Sequence, residues 1–94
     1  MMITSFKSKE TEKIFKRYFS HKVPHDIQKV VFRKLKMLNR ANILNDLRVP
    51  PSNHLEVLTG DRAGQYSIRV NKRWRICFEW FEGEVKNVEI VDYH

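Results

Sequence analysis

Gln65-Tyr66-Ser67-Ile68-Arg69-Val70, Asn71-Lys72-Arg73, Trp74-Arg75-Ile76-Cys77-Phe78-Glu79-Trp80-Phe81, Glu82-Gly83-Glu84 and Val85-Lys86-Asn87-Val88-Glu89-Ile90-Val91-Asp92-Tyr93 follow one another without a break. Three β-prone runs, rich in aromatic and β-branched residues, are separated by short polar turns. Turns this short join antiparallel neighbours, so the stretch predicts a meander. Alternation assigns its faces. Tyr66, Ile68 and Val70 share one side of their strand, and Ser67 and Arg69 the other. Trp74, Ile76, Phe78 and Trp80 share one side, and Arg73 and Arg75 the opposite one. The aromatic side is the expected core.

Upstream, His54-Leu55-Glu56-Val57-Leu58 predicts a fourth strand of the meander, joined through the turn Gly60-Asp61-Arg62-Ala63-Gly64. Arg48-Val49-Pro50-Pro51-Ser52-Asn53 is a connector, because paired prolines remove donors and enforce extended backbone. Ala41 to Leu47 has room for one or two further helical turns. Before it, Ile27, Val30, Val31, Leu35 and Leu38 recur at helical spacing behind Val23-Pro24, and predict an amphipathic helix. Lys29, Arg33, Lys36 and Arg40 fill much of its other side. An earlier helix follows Ser8, a capping residue, with Ile14, Phe15, Tyr18 and Phe19 as its apolar face. Met2 to Phe6 predicts a first strand. The expected order is β-α-α-β-β-β-β: an α+β domain in which two N-terminal helices pack on one face of a mostly antiparallel sheet. The other sheet face is left for binding.

Composition narrows the function. The chain has 94 residues, enough for one domain, with 18 Lys and Arg against 11 Asp and Glu. Residues 1–50 carry 12 basic and four acidic side chains, and residues 51–94 six and seven. Such an excess favours encounter with polyanions, and nucleic acid or the ribosome is the expected partner. A merely solvated basic surface is the alternative, for the helix face as for the whole. One cysteine, Cys77, excludes an internal disulfide framework and fits a reducing, cytoplasmic setting. No apolar run approaches the ~18 residues of a membrane span, and no signal-peptide pattern opens the chain.

Several chemistries are disfavoured. His21 and His25 stand four apart, but Pro24 separates them, and no further pair completes a metal set. The Gly60–Gly64 turn is too short for a phosphate loop, although it projects Arg62. Cys77 reads as buried packing. What remains is Arg75, a fork for phosphate, and Asp92-Tyr93-His94 at the end of the last strand. Alternation places Tyr93 with Arg75; it does not settle the faces of Asp92 and His94. Histidine exchanges protons near neutrality, and chain ends fray unless tied down, so a paired terminal strand would give these side chains fixed positions.

Read together, Ile3-Thr4-Ser5-Phe6, Leu58-Thr59-Gly60-Asp61-Arg62-Ala63-Gly64, Ser67-Ile68-Arg69-Val70-Asn71, Trp74-Arg75-Ile76-Cys77-Phe78 and the final Asp92-Tyr93-His94 resemble the HigB toxins of the RelE superfamily, the host-inhibition-of-growth or plasmid-maintenance killer proteins. The resemblance spans essentially the whole chain. It implies a single RelE-like mRNA interferase domain over residues 1–94, toxin of a type II toxin-antitoxin pair. It implies ribosome-dependent cleavage of mRNA in the 70S A site, by attack of the ribose 2′-OH, with no metal or other cofactor. Arg75, Asp92, Tyr93 and His94 match the family's catalytic positions; the division of proton transfer among the last three stays open. Arg62, Arg69, Lys72, Arg73, His54, Lys29, Arg33 and Lys36 are the expected RNA or ribosome contacts. The implied protein partner is a helix-turn-helix antitoxin of the HigA type. Where some relatives carry a His and a Lys before the Gly-Asp-Arg turn, this chain has Glu56 and Thr59; His54, two residues before Glu56, would share its strand face. The alternative function is a non-enzymatic basic module that blocks translation by occupying RNA or the ribosome; a DNA-binding partner of a repressor is a further one.

Overall fold

The computed structural model describes residues 2–93. β1 is Met2–Ile3, α1 Lys9–Phe15, α2 Gln28–Arg40, β2 Glu56–Val57, β3 Tyr66–Arg69, β4 Trp74–Phe81 and β5 Glu84–Asp92. The five strands form one sheet in the order β1-β5-β4-β3-β2. All pairs are antiparallel except β1 with β5, which is parallel. The predicted meander and helix-on-sheet layering are therefore present.

The core lies between the helices and one sheet face. Ile14 from α1 and Val31, Leu35 and Leu38 from α2 are buried against Ile68, Ile76, Phe78, Val85 and Val88. Tyr66 stacks on Phe78 across β3 and β4, with ring centroids 6.0 Å apart. Val85 and Val88, three residues apart on one strand, both point inward. Asn87 explains this: it is the extra residue opposite Cys77–Glu79, takes φ +51°, and flips the parity of β5. Its backbone N–H is held by Ser5 Oγ at 2.8 Å.

The helices differ from expectation at their ends. Ser8 caps α1 as predicted, its Oγ accepting from the Thr11 N–H at 3.2 Å. But α1 stops at Phe15, because Arg17 adopts φ +68° and its guanidinium lies over the Phe32 ring, 4.7 Å from the centroid. Tyr18 and Phe19 consequently leave the apolar face and are 66% and 49% exposed. After Pro24 a 3-10 turn, His25–Ile27, precedes α2. The 41–47 region yields a 3-10 turn at Leu44–Arg48, and the paired prolines lead into another at Pro51–Asn53.

Two strands lose more than half of their predicted length. β1 covers only Met2–Ile3, although pairing resumes at an isolated Phe6–Val88 bridge. β2 covers only Glu56–Val57. His54, expected within it, closes the 3-10 turn in the left-handed region at φ +43°, ψ +58°, so it does not share a strand face with Glu56.

Candidate active site

β3, β4 and β5 place Ser67, Arg75 and Glu89 on the sheet face away from the helices. Arg75 Nε donates to Ser67 Oγ at 2.7 Å, and its Nη2 donates to the His54 carbonyl at 2.6 Å. Glu56 Oε1 stands 3.7 Å from the same Nη2. The guanidinium carbon of Arg75 lies over the Tyr93 ring, 5.8 Å from its centroid. Arg75 is only 8% exposed, its guanidinium pre-aimed by neutral acceptors and an acid. Ser67 and Cys77 are fully buried. Arg62 reaches across from its turn to Glu89 Oε1 at 2.9 Å and to Gln65 Oε1 at 3.0 Å.

Asp92 and Tyr93 join the site from the end of β5. Both Asp92 oxygens accept from Arg73, and the Tyr93 N–H donates to the Arg73 carbonyl at 2.7 Å. A concavity of ≈ 330 Å³ is lined by Arg62, Val91, Asp92 and Tyr93. His94 lies outside the described residues. Arg69 stands opposite Arg75 in the β3–β4 register, with its Nε on the Asn71 carbonyl at 3.1 Å. Lys72 is exposed in the β3–β4 turn, and the His54 residue is exposed although its carbonyl is engaged.

The basic helix residues are elsewhere. Lys29 and Arg33 are exposed on α2, and Lys36 rests over the Phe15 and Phe32 rings. They belong to the opposite layer and do not converge on Arg75.

Two of the arginines on this side are paired with acids. The hydrogen bond to Glu89 raises the Arg62 pKa, and the one to Asp92 raises that of Arg73. Burial pushes the Cys77 thiol up, so it stays neutral and fits the packing reading. No cluster of three His, Cys, Asp or Glu side chains able to hold a metal occurs among the described residues.

Sequence reading missed Glu56 and Ser67 as neighbours of Arg75. The Ser67 signal was available, since alternation and the short turn put it on Arg75's side. Glu56 was marked only by the resemblance, as one of the positions where some relatives carry a His or a Lys; it lies opposite Ser67 in the β2–β3 register, and that pairing brings it to Arg75's face.

Over residues 4–94 the sequence matches the family described as RelE-like toxin of type II toxin-antitoxin system HigB. The chain belongs to the HigB-like toxins. Among relatives of this HigB-like toxin is Toxin HigB-1 of Vibrio cholerae serotype O1, 40% identical over 87 residues, spanning 92% of each chain. Endoribonuclease HigB of Proteus vulgaris is 33% identical over 94 residues, covering 99% of this chain and all of that one. The HigB-like fold is shared more widely. A chain of the heterotetrameric YoeB-YefM toxin-antitoxin complex from Staphylococcus aureus superposes with a TM-score of 0.61 at 19% identity, over 100% of this chain and 99% of that one.

Proposed function

We propose that this toxin is a ribosome-dependent, metal-independent endoribonuclease that cuts mRNA in the ribosomal A site, and that a HigA-like helix-turn-helix antitoxin holds it in check in the cytoplasm. The observation that carries the reading is the Arg75 cradle. A guanidinium fixed by Ser67 and the His54 carbonyl, beside an aromatic ring and an open concavity, suits a phosphate that gains charge in the transition state.

In the proposed reaction the ribose 2′-oxygen attacks the adjacent phosphorus and the P–O5′ bond breaks. The products are a 2′,3′-cyclic phosphate and a 5′-OH. Glu56, the carboxylate beside Arg75, takes the 2′-OH proton, and His94 returns a proton to the departing 5′-oxygen. Arg75 neutralises the phosphorane. Tyr93 stacks on a base, and Asp92, gripped by Arg73, holds the strand end in place.

With so few acid-base groups, the ribosome supplies the positioning, a contribution that reaches ~7–11 kcal/mol when reactants are held in line. The test is cleavage of one mRNA on translating ribosomes and as naked RNA, with end analysis and EDTA added to the purified protein before ribosomes in Mg²⁺ buffer. Ribosome-only cutting with cyclic-phosphate and 5′-OH ends is expected. Equal cutting of naked RNA, or 5′-phosphate ends, overturns it; arrest of translation without cleavage selects the steric-block reading.

A further inference from the structure

Lys34 is the residue this fold would least be expected to bury. It is 5% exposed on the core side of α2, and no carboxylate among the described residues pairs with it. Its ammonium instead donates to Asn53 Oδ1. Burial, helped by the nearby Arg33 charge, lowers its pKa, so the site costs stability that an apolar side chain would not.

What the ammonium does is orient an amide. Asn53 is fully buried. With Oδ1 taken by a pure donor, its Nδ2 must face acceptors, and it donates to the carbonyls of Leu47 at 3.0 Å and Val49 at 3.4 Å. Its backbone N–H closes on Pro50 O at 2.9 Å. The connector from Leu47 to Asn53 is thereby stitched to α2 through one side chain. The next residue is His54, whose left-handed backbone turns its carbonyl onto Arg75 Nη2. Two bonded contacts thus separate a helix on one side of the sheet from the guanidinium on the other.

We propose that Lys34 and Asn53 are positioning residues for Arg75, acting through the His54 carbonyl to fix the guanidinium that binds the scissile phosphate. The proposal rests on the assignment of Arg75 to the reaction. It explains why a charged residue occupies a place where leucine or methionine would pack at lower cost. Misplacement of a catalytic group by about 1 Å costs ~10²-fold in rate, so a small shift of the connector is enough.

The test is Lys34→Met, read in two ways. Exchange of the Arg75 Nε–H, followed by NMR, reports the cradle directly. It should speed up at least about tenfold, as expected when a buried hydrogen-bonded group gains local opening. Ribosome-dependent cleavage should lose at least about tenfold in kcat with KM for the programmed ribosome held within about twofold, the pattern of a contact made only in the transition state. In an Arg75→Ala background the same substitution should add little further loss, which a general weakening of the fold would not reproduce. Should Lys34→Met not fold, Asn53→Asp, which keeps an acceptor for the ammonium and removes the donors to Leu47 and Val49, is read the same way. A folded variant with unchanged Nε–H exchange overturns the proposal. If Arg75→Ala itself leaves cleavage intact, the catalytic assignment fails, and the exchange rate still decides the link.

Discussion

Arg73 grips Asp92 with two parallel bonds, Nε to Oδ1 at 2.8 Å and Nη2 to Oδ2 at 2.7 Å. The pair ties the turn before β4 to the last residue of β5, which lies opposite Trp74. It answers how a strand end that ought to fray keeps its side chains in place. Arg73, expected to meet RNA, pairs with Asp92 while its side chain stays 58% exposed. Arg73→Ala should therefore lower cleavage by about tenfold, through loosened geometry. The melting temperature should hardly move, because exposed ion pairs contribute little. A thermal melt beside a cleavage assay checks both halves.

Arg75→Ala should reduce cleavage by roughly 10²–10³, the loss typical of one preorganised donor. It should also cost stability, on the order of 1–3 kcal/mol, because the buried Ser67 hydroxyl and the His54 carbonyl lose their donor. Arg75→Lys keeps the charge but not the fork, and should recover stability better than rate. Denaturant titration and single-turnover cleavage separate the two. Undiminished growth arrest by Arg75→Ala at equal expression would end this assignment.

Glu56→Gln removes a proton acceptor while preserving size and most of the exposure. The expected loss in cleavage is about 10²–10⁴, with ribosome binding unchanged. A rate equal to that of the parent chain would move the base elsewhere.

Removal of Tyr93 and His94 takes away the ring beside Arg75 and the Tyr93 N–H to Arg73 O bond, but no core side chain. The truncated chain should fold, bind ribosomes and antitoxin, and fail to cleave. Retained cleavage would exclude an acid-base role for these residues. Retained inhibition without cleavage would favour steric blocking.

Ser20 and Glu10 supply a pH signature far from the site. The buried Ser20 hydroxyl donates to Glu10 Oε1 at 2.5 Å, and this bond holds the Glu10 carboxyl below its usual value. A carboxyl depressed in the folded state stabilises above its unfolded pKa, and that stabilisation is lost as pH falls through the folded one. The melting difference between the parent chain and Ser20→Ala should thus be widest near neutrality and shrink in acid. A difference constant across that range would count against the linkage.

Much of this architecture is legible in residue pattern because its causes are local. The turns at 71–73 and 82–84 dictate the meander, and alternation puts Trp74, Ile76 and Phe78 in the core with Arg75 and Tyr93 opposite. The failures share a different cause: non-glycine residues in left-handed backbone. Arg17 ends α1 early and His54 removes itself from β2; a third such residue, Asn87, adds the bulge in β5 that no expectation had addressed. Each is held by tertiary contacts, such as the Phe32 ring or the Ser5 hydroxyl, that no local pattern announces. Lys34 is hidden for the same reason, since a lysine on an amphipathic helix reads as solvated until its acceptor is known. Within the site, Glu56 was marked by the resemblance and not by local pattern, because its place beside Arg75 comes from its pairing with Ser67 across β2 and β3.

The parallel pairing of β1 with β5 has a practical side. Met2 lies beside Glu84, at the start of β5, while Tyr93 follows its far end. Nine residues of strand, at about 3.3 Å each, separate the two. A fluorophore or affinity handle placed ahead of Met2 emerges at the end of the sheet remote from Arg75. The same handle joined behind residue 94 begins beside Tyr93 and crowds the concavity. Toxicity screens that use C-terminal fusions would then select for inert protein, and the choice of tagged end decides whether the chain is seen to act at all.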